Sequence, residues 1–325
     1  MIQKILVAAL AALGAATAAA GPFSLANYKV TGSIALDRLA GLGPGVSGLE
    51  ASAVTYARDR GTLFYVGDEG TGVVEISRTG QTVSTMAFSA WPAASTNHDS
   101  EGLTYLGGGV LVVMEERLQD AFRFNYVAGG SVNLANADFV SISNVVVGNN
   151  GIEGISFDPR NGGSFVTVKQ QLPQNVLGGT LTFAAPPAGG TSTMAPLFDP
   201  ALLGLATLSD VQTLAVVDDL VGTPQADNLL ILSLGSNLLV EATRSGSVVS
   251  SFNLNGIVPH NAIEGVTIDE HGTIYLVAEQ EQDGSVPADQ AHSRLIVLSQ
   301  VPVPGTLALT LGGLGMLGWR ARRSD

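Results

Sequence analysis

The chain has 325 residues, no cysteine and a net charge of −13, and only 13% of its residues are charged. An acidic surface repels phosphate backbones, which excludes nucleic acid as a partner and favours divalent cations. The lack of cysteine excludes a disulfide framework and thiol chemistry, and the length suits one large all-β domain.

The N-terminal segment, residues 1–20, has the pattern of a secretory signal peptide. Lys4 supplies the positive start, residues 5–16 form the apolar centre, and residues 18–20 are all alanine. This order predicts export and cleavage. The alternative is an N-terminal membrane anchor, for which the apolar run is short and rich in alanine.

A repeated unit dominates the middle of the chain. Each unit opens with an acid, continues into an apolar strand, turns at glycine or a polar residue, and returns as a second strand. The leading acids recur at intervals of 51, 52, 57 and 54 residues: Glu50, Glu101, Glu153, Asp210 and Glu264. Because such a unit cannot bury its apolar face alone, a period of about 50 residues predicts propeller repetition. Five units predict an all-β, five-bladed β-propeller.

The ends of the repeat region predict how the ring closes. Residues 28–36 form a lone strand before the first unit, whereas the last unit has only three strands, at 265–269, 273–277 and 294–298. Sharing one blade between the two termini removes the open sheet edges. We therefore expect a propeller domain over residues 28–299.

One long insertion interrupts the third unit. Residues 170–204 are rich in proline, glycine and alanine, which predicts a functional or mobile loop. After Pro200, residues 201–208 are compatible with one or two helical turns.

The C-terminal tail, residues 301–325, has two prolines, an apolar stretch at 305–319 and three arginines. As a helix the stretch reaches about 22 Å, short of the hydrocarbon core of about 30 Å. The order resembles the PEP-CTERM sorting signal of exopolysaccharide-producing Gram-negative bacteria, with Val303 where that signal has glutamate. The resemblance implies transient anchoring in the inner membrane, processing by an exosortase-type sorting machinery, and release at the cell surface.

The leading acids are the candidate site. In an antiparallel hairpin the start of one strand lies beside the end of its partner, so Glu101 should approach Glu115 and Glu116, and Glu264 should approach Glu279. If the first strand of each unit is innermost, all five acids face one mouth of the channel. Crowded carboxylates either protonate or bind a cation, and an all-oxygen set favours Ca²⁺ over zinc.

Three roles for these acids stay open. They could accept backbone N–H bonds and lock neighbouring blades together, bind calcium, or act in catalysis. The sequence has no nucleophile elbow of a serine hydrolase, no His-Glu-x-x-His and no phosphate-binding glycine loop.

At these residues the chain resembles the SdiA-regulated family of bacterial propellers. The matching segments are LEASAVTY (49–56) with VGDEG (66–70), SEGLTY (100–105) with EER (115–117), IEGISFDP (152–159) and IEGVTID (263–269). The resemblance implies a five-bladed fold and a calcium site, with no established reaction. Lys169 and Ser233 depart from the acidic strand ends of the other units.

These observations predict an exported, calcium-binding protein with a binding or scaffold role at the cell surface or in the extracellular matrix. Its ligand would be an unidentified surface molecule or polysaccharide, and we expect a monomer. The alternative is a calcium-dependent hydrolase of the lactonase or phosphoesterase kind, in which a metal polarises the substrate.

Overall fold

Each repeat folds into an antiparallel sheet whose first strand is innermost. The computed structural model of the protein describes residues 23–39, 45–68, 71–143, 145 and 147–301. The predicted signal peptide and almost all of the predicted sorting tail lie outside these residues. Within the described part of the chain, no helix is long and apolar enough to cross a membrane.

The regular elements are strands and short 3-10 turns. In chain order the strands are β1 (Tyr28–Ala35), β2 (Ala51–Ala57), β3 (Thr62–Gly67), β4 (Gly72–Ser77), β5 (Thr82–Ala90), β6 (Ser100–Gly107), β7 (Val110–Glu115), β8 (Asp120–Asn125), β9 (Ser131–Asn133), β10 (Asp138–Ser141), β11 (Ile152–Asp158), β12 (Ser164–Lys169), β13 (Asn175–Gly179), β14 (Leu181–Thr182), β15 (Thr191–Ser192), β16 (Ala195–Phe198), β17 (Asp210–Thr213), β18 (Leu229–Ser233), β19 (Leu238–Ala242), β20 (Val248–Asn253), β21 (Ile263–Ile268), β22 (Ile274–Ala278) and β23 (Arg294–Gln300). The 3-10 turns are Leu25–Asn27, Leu134–Asn136, Arg160–Gly162, Pro200–Leu203, Leu214–Val216, Asp218–Leu220 and Pro224–Asp227.

Five sheets form the blades, which confirms the predicted propeller. Blades one to four run outward as β2-β3-β4-β5, β6-β7-β8-β10, β11-β12-β13-β16 and β17-β18-β19-β20. Blade five runs β21-β22-β23-β1, so the N-terminal strand completes the C-terminal blade as predicted. The innermost strands β2, β6, β11, β17 and β21 contact one another in a closed cycle. This cycle surrounds the central channel.

The insertion at residues 170–204 differs from the prediction. It supplies the two outer strands of blade three, β13 and β16, together with the small hairpin β14–β15. Proline, glycine and alanine have low strand propensity, but tertiary pairing overrides that preference. The predicted helical turns after Pro200 shrink to one 3-10 turn, where Ala201 N donates to Oδ1 of Asp199 at 3.0 Å.

The burial of each strand follows its place in the blade. Strands β3 and β7 are nearly continuously buried, whereas the outer strands β1 and β20 alternate between buried or partly buried and exposed residues. Apolar clusters lie between neighbouring blades, such as the one joining Leu230 of blade four to Ile274 of blade five. Burial of apolar surface between blades therefore holds the ring together.

A ring of side-chain hydrogen bonds also joins the inner strands near their C-terminal ends. Tyr105 N donates to Thr55 Oγ1 at 3.1 Å, Phe157 N to Thr104 Oγ1 at 3.0 Å, Thr213 N to Ser156 Oγ at 3.0 Å, Thr267 Oγ1 to Gln212 Oε1 at 3.0 Å, and Tyr56 N to Thr267 Oγ1 at 3.1 Å. We call these five bonds the hydroxyl ring. Four of the five satisfy backbone N–H donors of the inner strands, and the fifth joins the Thr267 and Gln212 side chains.

Candidate metal centre at one mouth of the channel

Three of the predicted acids occupy β-bulges at the start of an inner strand. The pairing register shifts between Ser100 and Gly102, between Ile152 and Gly154, and between Ile263 and Gly265. The extra residue is in each case the glutamate: Glu101, Glu153 or Glu264. A bulge leaves one residue unpaired and re-aims its side chain, so these carboxyl groups leave the sheet and turn toward the channel.

The glycine after each glutamate has a steric reason. A Cβ at Gly154 would overlap Asp210 of the next inner strand, and a Cβ at Gly265 would lie 2.8 Å from the carbonyl oxygen of Ser52. After these glutamates the neighbouring inner strand therefore approaches too closely for a side chain. The recurring Glu-Gly pair combines a bulged acid with a point of close packing.

The other two predicted acids are out of register with these three. In blade one the bulge lies between Ala51 and Ala53, so Ser52 occupies the position of Glu101, and Glu50 precedes it by two residues. Glu50 has a left-handed backbone with φ of 61°, and its carbonyl oxygen accepts a bond from Asp68 N at 3.0 Å. Its predicted role as a metal ligand stays a prediction.

Asp210 is buried at the position that glycine takes in units two, three and five. Its Oδ1 accepts from Val211 N and its Oδ2 from Val266 N, both at 2.8 Å. The side chain thus ties blade four to blade five, which is the strand-locking role left open by the sequence. Burial raises its pKa, against the opposing effect of the two N–H donors. Its role as a metal ligand also stays a prediction.

The tightest group of carboxylates combines one predicted acid with two others. Asp68, Asp99 and Glu101 each place one oxygen within 4.8 Å of the others. Asp99 is fully buried; its Oδ2 accepts from Arg117 Nε at 2.5 Å. Its Oδ1 is buried without a hydrogen-bond partner among the described residues. An unsatisfied buried anionic oxygen is costly, and a cation would satisfy it.

Further carboxyl groups surround this group. We define the acidic mouth by the seven residues Asp68, Asp99, Glu101, Glu116, Glu153, Glu264 and Glu279. Burial, followed by the charges of Glu153 and Glu264, raises the pKa of Glu101 well above its ordinary value. Burial and the neighbouring Glu116 do the same for Glu153.

Glu264 and Glu279 form a second close pair in the acidic mouth. Burial and Glu279 raise the pKa of Glu264. Burial and Asp68 raise the pKa of Glu279 to about 7. Because like charges cannot all ionise here without a counter-charge, the mouth either retains protons or binds a cation.

The residues that the hairpins predict beside the leading acids are only partly found there. Glu264 lies beside Glu279, and Glu153 beside Lys169, whose pKa is lowered by burial. Glu115 turns away from the channel, because its oxygens accept from Ser95 Oγ at 2.8 Å and Leu118 N at 2.6 Å. Glu116 lies beside Glu153.

Sequence reasoning missed Asp99 as a member of the site. It lies two residues before Glu101 and directly before β6, so its position at a strand start was the available signal. Residues two apart along an extended chain point to the same side, which agrees with the close approach of the Asp99 and Glu101 oxygens.

The donor set fits a hard cation. All seven groups of the acidic mouth are carboxyl oxygens, and the clustered trio includes no histidine. Such sets suit Ca²⁺, which takes oxygen ligands in flexible geometry, better than zinc. Asp68, Asp99 and Glu101 are the residues that would hold the ion.

The fold and this site define the protein as a five-bladed β-propeller with carboxyl groups concentrated at one channel mouth. The chain belongs to the SdiA-regulated family, whose model matches residues 37–281.

Solved structures of other propeller proteins resemble the chain at low identity. A luciferin-regenerating enzyme is 12% identical with a TM-score of 0.46, covering 84% of this chain and 97% of that one. Glutaminyl cyclase of Myxococcus xanthus is 11% identical with a TM-score of 0.48, and the match covers 84% of this chain and 97% of the cyclase. A protein of unknown function from Bacteroides caccae is 14% identical with a TM-score of 0.42, and the match covers 77% of this chain and 78% of that protein. At this distance, these similarities carry no inference about activity.

Proposed function

We propose that the acidic mouth binds calcium and that the protein acts as an exported binding or scaffold propeller. The observation that supports the site is the approach of Asp68, Asp99 and Glu101 to within 4.8 Å, beside further crowded carboxyl groups. Calcium would replace the retained protons and supply the counter-charge that the buried oxygens lack.

The location rests on the two ends of the sequence. Residues 1–20 would direct export, and residues 301–325 would hold the chain at the inner membrane until an exosortase-type enzyme processes them. The propeller would then act at the cell surface or in the extracellular matrix, on a surface molecule or polysaccharide. Fractionation of the source cells tests this proposal, and recovery of the mature protein in the cytoplasm would contradict it.

Glu279 keeps the hydrolase alternative open. A carboxyl group with a pKa near 7 can accept a proton at neutral pH, and Glu279 lies beside the carboxyl cluster. In such an enzyme a bound calcium would polarise a lactone or phosphoester. Chelator-sensitive turnover in a substrate panel, lost in Glu279→Gln, would favour this alternative over the scaffold role.

Thermal unfolding tests calcium binding directly. A ligand that binds only the folded state stabilises it by about 2.7 kcal/mol at a hundredfold excess over Kd. Calcium should therefore raise the Tm of chelated protein by about 5 °C or more. Asp99→Asn and Glu101→Gln should remove most of this rise. In chelator, Glu101→Gln should melt no lower than the wild type, because it removes a carboxyl group whose ionisation its burial and acidic neighbours disfavour.

Asp138→Asn serves as the matched control. Asp138 is a half-exposed acid on blade two that pairs with Arg123 at 2.7 Å, away from the acidic mouth. It should keep the full calcium response. If Glu101→Gln lowers the Tm equally with calcium and with chelator, the acid has a purely structural role. A wild type with the same Tm in both conditions would exclude the metal.

A further inference from the structure

The other end of the channel holds a separate cavity of about 540 Å³. All five blades line it through the C-terminal ends of their inner strands and the turns that follow. The volume lies within the range of about 300–1,000 Å³ that small-molecule sites occupy. None of the residues of the acidic mouth contributes to its lining.

Three aromatic side chains from consecutive blades form its apolar wall. Tyr56, Tyr105 and Phe157 each directly follow a member of the hydroxyl ring, so they occupy one repeat position in blades one, two and three. All three are partly exposed to solvent. Equivalent positions on neighbouring inner strands place the three rings at one level of the cavity.

The charged groups of the cavity are one arginine and three acids. Arg58 is neutralised by a bidentate pair with Asp218, at 2.8 Å for each bond. Asp59 Oδ2 accepts from the Tyr105 hydroxyl at 3.1 Å and from Gly108 N at 3.0 Å. The cavity therefore offers an incoming ligand no uncommitted positive group.

Glu270 has an uncommitted oxygen. Its Oε1 lies 3.4 Å from Nε2 of His271, whereas Oε2 is buried without a hydrogen-bond partner among the described residues. The Tyr56 phenol lies next to this carboxylate: burial, followed by its interaction with Glu270, raises its pKa to about 12. A buried anionic oxygen beside aromatic rings favours a ligand that donates hydrogen bonds and carries positive charge.

We propose that this cavity binds a small organic cation, an amine with an apolar body. The ammonium group would pair with Glu270 Oε2, and the apolar body would pack against Tyr56, Tyr105 and Phe157. An anion would meet three acids and an already paired arginine. The inference is independent of the calcium proposal.

Three probes that share one ring and differ in charge test the class of ligand. We would titrate 2-phenylethylammonium, 2-phenylethanol and phenylacetate into the full chain by calorimetry, in excess calcium to occupy the acidic mouth. The ammonium should bind about tenfold more tightly than the alcohol, and phenylacetate should not bind. Glu270→Gln should reduce the affinity for the ammonium to that for the alcohol. The control Asp138→Asn should leave the preference for the ammonium unchanged.

Each other outcome overturns the proposal. Equal affinities for ammonium and alcohol would mean an apolar cavity without charge selection. Ammonium binding that persists in Glu270→Gln and is lost in Asp99→Asn would place the probe in the acidic mouth. If Glu270→Gln does not fold, Phe157→Leu tests the same proposal. Loss of the ring should weaken binding of the ammonium more than binding of the alcohol.

Discussion

The two ends of the channel are built from the same five inner strands but differ in the interactions that their side chains make. At the N-terminal ends, bulges turn Glu101, Glu153 and Glu264 out of the ladder and crowd them with other acids. At the C-terminal ends β6 has a second register shift, between Tyr105 and Gly107, and the hydroxyl ring holds polar groups in fixed inter-blade bonds. The comparison teaches that bulges at the strand starts concentrate carboxyl groups at one end of the channel, whereas polar groups at the other end are held in inter-blade bonds.

Opening the ring should have the largest effect, because both ends depend on closure. Deletion of residues 21–37 removes β1, which pairs with β23 from Tyr28↔Gln300 to Ala35↔Arg294. The exposed edge of β23 should cause aggregation, measured by light scattering and size-exclusion chromatography. A chain lacking only residues 1–20 is the control and should stay soluble. A monomeric deletion variant with the native Tm would refute closure through the shared blade.

Breaking one bond of the hydroxyl ring should destabilise the fold without affecting the acidic mouth. Thr104→Val is close in shape but leaves Phe157 N without its acceptor, which should cost about 1–3 kcal/mol of unfolding free energy. Thr104→Ser retains the oxygen and should cost clearly less. Chemical denaturation with and without calcium measures both effects. A calcium response that falls together with stability would show that the two ends are coupled.

The fold was largely predictable because it depends on a pattern repeated five times. Every unit has the same order of acid, strand and turn. The single strand before the first repeat supplies the strand that the three-stranded last repeat lacks. The strands at Asn175–Gly179 and Ala195–Phe198 were missed because their glycine and proline content carries no strand signal. Their pairing is set by neighbouring strands and not by local preference.

The candidate site was less predictable because register is a tertiary property. Aligning the units on their acids makes Glu50 equivalent to Glu101, whereas the bulges make Ser52 the equivalent residue. Aligning them on Thr55 and Thr104 gives the observed register. Asp99 was missed because it lies outside the repeated acid position, although residues two apart along a strand share a face.

The crowded carboxyl groups predict a moderate pH dependence in the absence of calcium. Folded Glu279 holds its proton up to about pH 7, whereas its ordinary pKa is 4.5. Between these values the folded state binds more protons than the unfolded chain, so stability should fall as pH rises through this window. Thermal melts in chelator from pH 5 to pH 7.5 measure the slope, and Glu279→Gln should flatten it.

Calcium should reduce the same slope, because the cation takes over the role of the protons. Calorimetric titrations at pH 6.5 in buffers of different ionisation enthalpy should detect proton release on binding. A chelated wild type whose stability rises from pH 5 to pH 7 would contradict the crowding of the acidic mouth. A flat profile that Glu279→Gln leaves unchanged would do the same.

Truncation of the C-terminal tail should have the smallest effect and fixes where the fold ends. The last contacts that the structure describes are Gln300 paired with Tyr28 in the sheet and Val301 N donating to the Asn27 carbonyl at 2.7 Å. A chain ending at Val301 keeps both and should melt within about 1 °C of the full chain, with the same calcium response. A chain ending at Ser299 loses both bonds and should melt slightly lower, since each backbone bond contributes about 1 kcal/mol. Unfolding of the Val301 variant would show that residues 302–325 belong to the propeller and would remove the sorting-tail interpretation.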